Sequence, residues 1–207
     1  MTKQFLAILT TISFVLFSCG DDDGGSTTGG TFTFDGQTYT AVDGFIEDYG
    51  AVDPFEGGGT ATHFNYVMGI SDADFITITD DGDPYFGGSD GVSIVIYLNL
   101  YSDGVTSFQE GTFNFIDLDG ASAGDISGES FFTRGELELD DDNLAPNGDL
   151  DGNEYEITGG TITVTGSETN YTIDFDLVIT EWDTGTPVGN AVGSYSGEFQ
   201  YQDNSGN

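Results

Sequence analysis

The residues that could do chemistry in this chain are few. His63 is its single histidine and Cys19 its single cysteine, and Lys3 and Arg134 are its only cations. A two-histidine zinc or iron site cannot be built from one histidine. A serine-histidine-aspartate triad would have to use His63. That residue alternates against Phe64, Tyr66 and Met68, so it is expected on the solvent face of a strand, as an ordinary and dispensable surface side chain. Carboxylates are the remaining resource, 37 in all. Glycoside hydrolysis needs only two of them, about 5 to 10 Å apart. No motif singles out such a pair, so a non-enzymatic protein is expected.

Two further sets of residues could hold a ligand. Asn147-Gly148-Asp149-Leu150-Asp151-Gly152 places oxygen ligands at alternate positions before a glycine, like the start of an EF-hand-type loop. The twelfth position is Thr158 where a bidentate glutamate belongs. Glu154, Glu156 or the Asp140-Asp141-Asp142 run would have to supply the missing oxygens of a weak calcium site. Asp80, Asp81 and Asp83 are a lesser candidate. Trp182, the only tryptophan, stands between Glu181 and Asp183 at the end of a long alternating run. Its ring would either cover one end of the core or stack on a sugar beside those carboxylates.

The elements that must position these groups are strands. Thr31-Phe32-Thr33-Phe34 and Gln37-Thr38-Tyr39-Thr40 flank Asp35-Gly36, a strong hairpin signal because both turn residues tolerate positive φ. A period of two recurs at Phe64–Ile70, at Ile76 and Ile78, at Ile94–Leu100, and at Phe113 and Phe115. It continues at Leu137 and Leu139, at Ile162 and Val164, and through Tyr171, Ile173, Phe175, Leu177 and Ile179, before a last strand carrying Tyr195, Phe199 and Tyr201. With 32 glycines and no helical apolar period, the expected fold is all-β. An antiparallel β-sandwich of about ten strands is the first architecture, and an up-and-down, lipocalin-like barrel the alternative.

Ahead of this domain, Lys3 and the apolar stretch Phe5 to Phe17 are too short for a spanning helix, which needs about 20 apolar residues. They have the form of a secretory signal. Leu16-Phe17-Ser18-Cys19 resembles the lipobox of bacterial lipoproteins, which implies cleavage before Cys19 and acylation of its thiol. Asp21-Asp22-Asp23 directly after it resembles the surface-export signal of lipoproteins in the Bacteroidota. Gly160 to Asp203, closing on Gly-Ser-Tyr-Ser-Gly-Glu-Phe, is similar to the endings of small lipoproteins from that group, a fold-level likeness that implies no activity. The expected organisation is a signal peptide over 1–18, a lipidated, flexible acidic tether over 19–30, and one β-rich domain over 31–207.

Charge narrows the partners. Loss of Lys3 takes the formal net charge from −35 to −36, with Arg134 the sole cation of the exported chain and no lysine for Schiff-base chemistry. Such a surface repels nucleic acid and anionic head groups, so the lipid anchor is the expected membrane contact. These features point to a lipid-anchored binding or accessory protein facing outward from an outer membrane, with a glycan or an outer-membrane protein as partner. A carbohydrate-binding module, a two-carboxylate glycosidase and a structural coat or adhesion protein are the alternatives.

Overall fold

The computed structural model describes residues 28–55, 59–80, 83–89, 91–139 and 153–206. Cys19, Asp21, Asp22 and Asp23 lie outside these residues, as do Asn147, Asp149 and Asp151. Among the described residues every regular element is a strand: β1 (Gly29–Phe34), β2 (Gln37–Ala41), β3 (Asp43–Val52), β4 (His63–Ser71), β5 (Phe75–Asp80), β6 (Asp83–Gly88), β7 (Ile94–Asp103), β8 (Gly111–Phe115), β9 (Phe131–Phe132), β10 (Gly135–Leu139), β11 (Asn153–Ser167), β12 (Asn170–Glu181), β13 (Pro187–Glu198) and β14 (Gln200–Asp203).

Local chemistry accounts for the hairpins. Asp35 and Gly36 have φ of 46° and 74° and join β1 to β2 through the closing pair Phe34–Gln37. That is the two-residue turn whose twist matches the flanking strands. Between β11 and β12, Ser167 pairs with Asn170 across the two-residue turn Glu168-Thr169, where Glu168 alone has positive φ, 60°.

Twelve strands form one sheet, eleven of them in the order β14-β3-β4-β7-β9-β8-β11-β12-β13-β1-β2 and β10 off this path. The pairs are antiparallel except β14 with β3 and β8 with β9. Between β7 and β11 the gap is filled twice, by β10 at one end and by β9 and β8 at the other. The sheet curls until β2 touches β4 and β13 touches β3, so its two halves face each other as the layers of a sandwich or flattened barrel. They enclose one core in which Phe32, Met68, Leu98, Phe113, Ile162, Phe175 and Tyr195 are fully covered. Burying each such side chain contributes about 1.5–3 kcal/mol.

A second, smaller layer lies outside. β5 and β6 form a separate hairpin that packs on the outer face of β3, β4 and β7 through Phe45, Phe75, Phe86, Val92 and Val95. β5 sits one residue out of the expected phase: Phe75 is buried and Ile76 exposed, because the hairpin buries its outer-layer face rather than joining the main core. β3, β6 and β9 were not legible as strands. In β3 both Phe45 and Ile46 are buried, one in each layer, which erases the alternation. The expected last strand divides into β13 and β14 around Phe199, whose amide donates to the Thr169 carbonyl at 2.7 Å.

Candidate functional site

His63 begins β4 on the face turned away from the main core, as its alternation implied, yet it is 1% exposed. The expectation of a surface histidine is therefore overturned. The segment joining β8 to β9 folds across that face. The His63 Nε2 donates to the Glu129 carbonyl at 3.1 Å, and Nδ1 shares a hydrogen bond with the Thr62 hydroxyl at 2.8 Å. The Phe131 ring meets the imidazole edge-on with centroids 5.2 Å apart, and Phe131 in turn stacks on Tyr101.

The covering segment is braced internally. Ser122 donates its amide and its hydroxyl to Asp125, at 2.8 and 2.6 Å, and these bonds hold the Asp125 carboxyl below the usual carboxylate range. Asp125 N donates to Ser122 O and Glu129 N to Ile126 O. Ile126, buried among exposed neighbours, anchors the turn. Asp103 N donates to Ser130 Oγ, and Gly104 N to Thr62 O, which ties the end of β7 to the start of β4.

These ties frame a cavity of about 640 Å³ beside His63. Phe55, Ala61, Val105 and Ile126 supply apolar walls, and Asp53, Thr62, Asp103 and Ser127 supply polar groups. Asp53 is fixed by its own loop, accepting from Phe55 N at 3.2 Å and Gly59 N at 2.9 Å. Mostly apolar concavities of this size with a few placed polar groups are the usual form of ligand sites. Sequence reasoning missed the cavity because it gathers loop residues from three connections that are far apart along the chain.

A smaller groove of about 270 Å³ lies between β4, β7 and β10, bordered by Val67, Tyr97, Asn99, Arg134 and Glu136. Arg134 is held among Glu156 and Asp119, each at 3.3 Å, and Asp117 at 3.5 Å. On β10 and β11 like charges stand directly opposite, Glu136 against Glu156 and Glu138 against Glu154. Burial, then Glu154 and Glu156, raise the Glu136 carboxyl above its usual range. A carboxyl raised by folding gives its full contribution below the unfolded value of about 4.3 and loses it as pH climbs through the folded value. Glu136→Gln should accordingly stabilise the protein at neutral pH by about a few tenths of a kcal/mol, since solvent and salt screen a half-exposed charge. Melting temperature against pH should fall less steeply above pH 4 in the variant, and parallel profiles would refute the assignment.

Of the other expected site residues, Asn147, Asp149 and Asp151 lie outside the described residues. Glu154 is exposed on β11, and no group of three or more histidine, cysteine, aspartate or glutamate side chains among the described residues is arranged to hold a metal. Of the lesser candidate, Asp80 and Asp83 close the β5–β6 hairpin as a cross-strand pair. Trp182 does not cover the core: it is 48% exposed on the β12–β13 turn, where Thr184 donates to Glu181 Oε2 at 2.6 Å. A buried carboxylate that the sequence did not single out, Asp48, accepts from Gly50 N and from the Tyr201 hydroxyl, both at 2.7 Å. Both of its oxygens are engaged, and its work is to join β14 to β3.

No known protein family, no curated protein and no solved structure matches the chain. Fold and geometry define it as an all-β domain with a sizeable pocket beside His63.

Proposed function

We propose that this is a non-enzymatic, surface-displayed binding lipoprotein, tethered through Cys19 and taking its ligand in the pocket beside His63. The carrying observation is that the pocket is ready-formed while the one histidine beside it has both ring nitrogens engaged. General bases are most often histidine, and this imidazole holds its neighbouring segment in place instead. A ligand found in a mixed panel of small molecules and oligosaccharides should raise the melting temperature of the wild type and not of Ser127→Trp, which fills the cavity from its exposed rim. Chemical turnover of such a ligand would overturn the non-enzymatic reading.

The anchor has its own test. The exported protein should lack residues 1–18 and carry diacylglycerol on Cys19, seen as intact mass after membrane extraction. Cys19→Ser should move it from the membrane fraction to the soluble one or leave an uncleaved precursor. Soluble, unlipidated wild type would refute the anchor. Replacing Asp21, Asp22 and Asp23 with alanine should lower protease accessibility on whole cells if they direct export.

The exposed ring of Trp182 favours a second reading, a glycan-binding module. A glycan array should then return a ligand whose binding is lost in Trp182→Ala and retained in Ser127→Trp. The reverse pattern assigns binding to the pocket.

A further inference from the structure

We infer that the pocket selects an alkylammonium group, a positively charged amine on an apolar stem; this rests on the pocket being the binding site. Among the described residues its two charged side chains, Asp53 and Asp103, are both carboxylates. Arg134, the only cation among the described residues, is engaged elsewhere by Glu156, Asp119 and Asp117. An anionic ligand would find no partner here and would meet the repulsion of a chain carrying −35.

The two carboxylates differ in what they have left to offer. Asp53 spends hydrogen-bonding capacity on the Phe55 and Gly59 amides and serves its loop. Asp103 ends β7 at the pocket wall, and no donor among the described residues reaches its exposed carboxylate. An ammonium ion is the complement of such a group, through charge-assisted N–H···O bonds. Phe55 lines the same cavity, and aromatic rings attract cations. The stem has matching surface: Val105, 48% exposed although apolar, lines the same cavity with the half-buried Phe55 and Ala61. Covering them removes apolar area from water. A bare cation would satisfy Asp103 and leave that surface wet, while a neutral aliphatic would do the opposite.

The test is calorimetric titration of the full chain at fixed ionic strength with hexylammonium, hexanol, hexanoate and methylammonium. Hexylammonium should bind at least about tenfold more tightly than the other three. Asp103→Asn should weaken hexylammonium about tenfold and leave hexanol unchanged. Asp35→Asn, a carboxylate on the β1–β2 turn near Asp72, which binds the Ile94 amide at the other end of β7, should change neither. Equal weakening by Asp35→Asn would reduce the effect to the diffuse field of an acidic protein and overturn the inference. Hexanol binding as tightly as hexylammonium, with Asp103→Asn silent, would keep the pocket as a binding site and remove its charge selectivity. No binding of any probe, with no change in Ser127→Trp, would sink the site itself. Cadaverine and Nα-acetyl-lysinamide in the same series separate a free amine from a lysine side chain as the natural source.

Discussion

Replacing Phe45 with alanine is expected to cost about 3–5 kcal/mol, the range for deleting a buried aromatic, and to release the outer layer before the main core. Phe45 is the centre of that layer. Its ring stacks on Phe86 at 4.7 Å, meets Phe75 edge-on at 4.8 Å and touches Tyr97 at 6.0 Å. It also lies across Gly69, where an added Cβ would come within 2.1 Å of it. Without the ring, Phe75 and Phe86 have little to pack on. The β5–β6 hairpin would then keep only the remnant of its apolar cluster around Val92 and Val95 and two polar ties, Phe75 N to Asp43 at 2.9 Å and Gln200 Nε2 to the Phe75 carbonyl at 3.0 Å. Hydrogen exchange should show amides of β5 and β6 losing protection while those of β11 to β13 keep most of theirs. A loss below about 1 kcal/mol, or uniform deprotection of the whole sheet, would show that the outer layer is not a separate cooperative unit.

His63→Ala is the second large effect, expected at about 2–3 kcal/mol. Two contributions add: the space left against Phe131, and the Glu129 carbonyl and Thr62 hydroxyl deprived of their partner. The damage should be local. Amides from 117 to 130 should exchange faster, and pocket ligands should bind more weakly, because Glu129 belongs to the segment carrying Ile126 and Ser127. His63→Gln, which can still donate to the Glu129 carbonyl, should recover part of the loss. A change within about 0.5 kcal/mol, typical of surface substitutions, would mean that the covering segment is held by something else.

The contrast between His63 and its neighbours shows how far a strand pattern reaches. Alternation places His63, Asn65, Val67 and Gly69 on one face of β4 and Phe64, Tyr66, Met68 and Ile70 on the other, and the folded chain keeps that division. Yet Asn65 is also buried, giving its side-chain amide to Asn99 at 2.7 Å and the Leu100 carbonyl at 3.0 Å. Period-two patterning states which side chains share a face. It contains no statement of what will later cover that face.

The all-β class, the Asp35-Gly36 hairpin, the strands β4, β7, β8, β10 and β12 and the acidic character were legible in the sequence, because side-chain period, turn chemistry and charge are local properties. The strand order, the curling of twelve strands around one core and the second layer on Phe45 came only from tertiary structure. So did the burial of His63, the exposure of Trp182 and the pocket between Asp53, Asp103 and Ile126. Each of these depends on segments distant in sequence meeting across a strand face or at the end of the sheet. Loops without periodicity carry no signal of where they will land, and their position is decided by which apolar surface the folded sheet leaves uncovered.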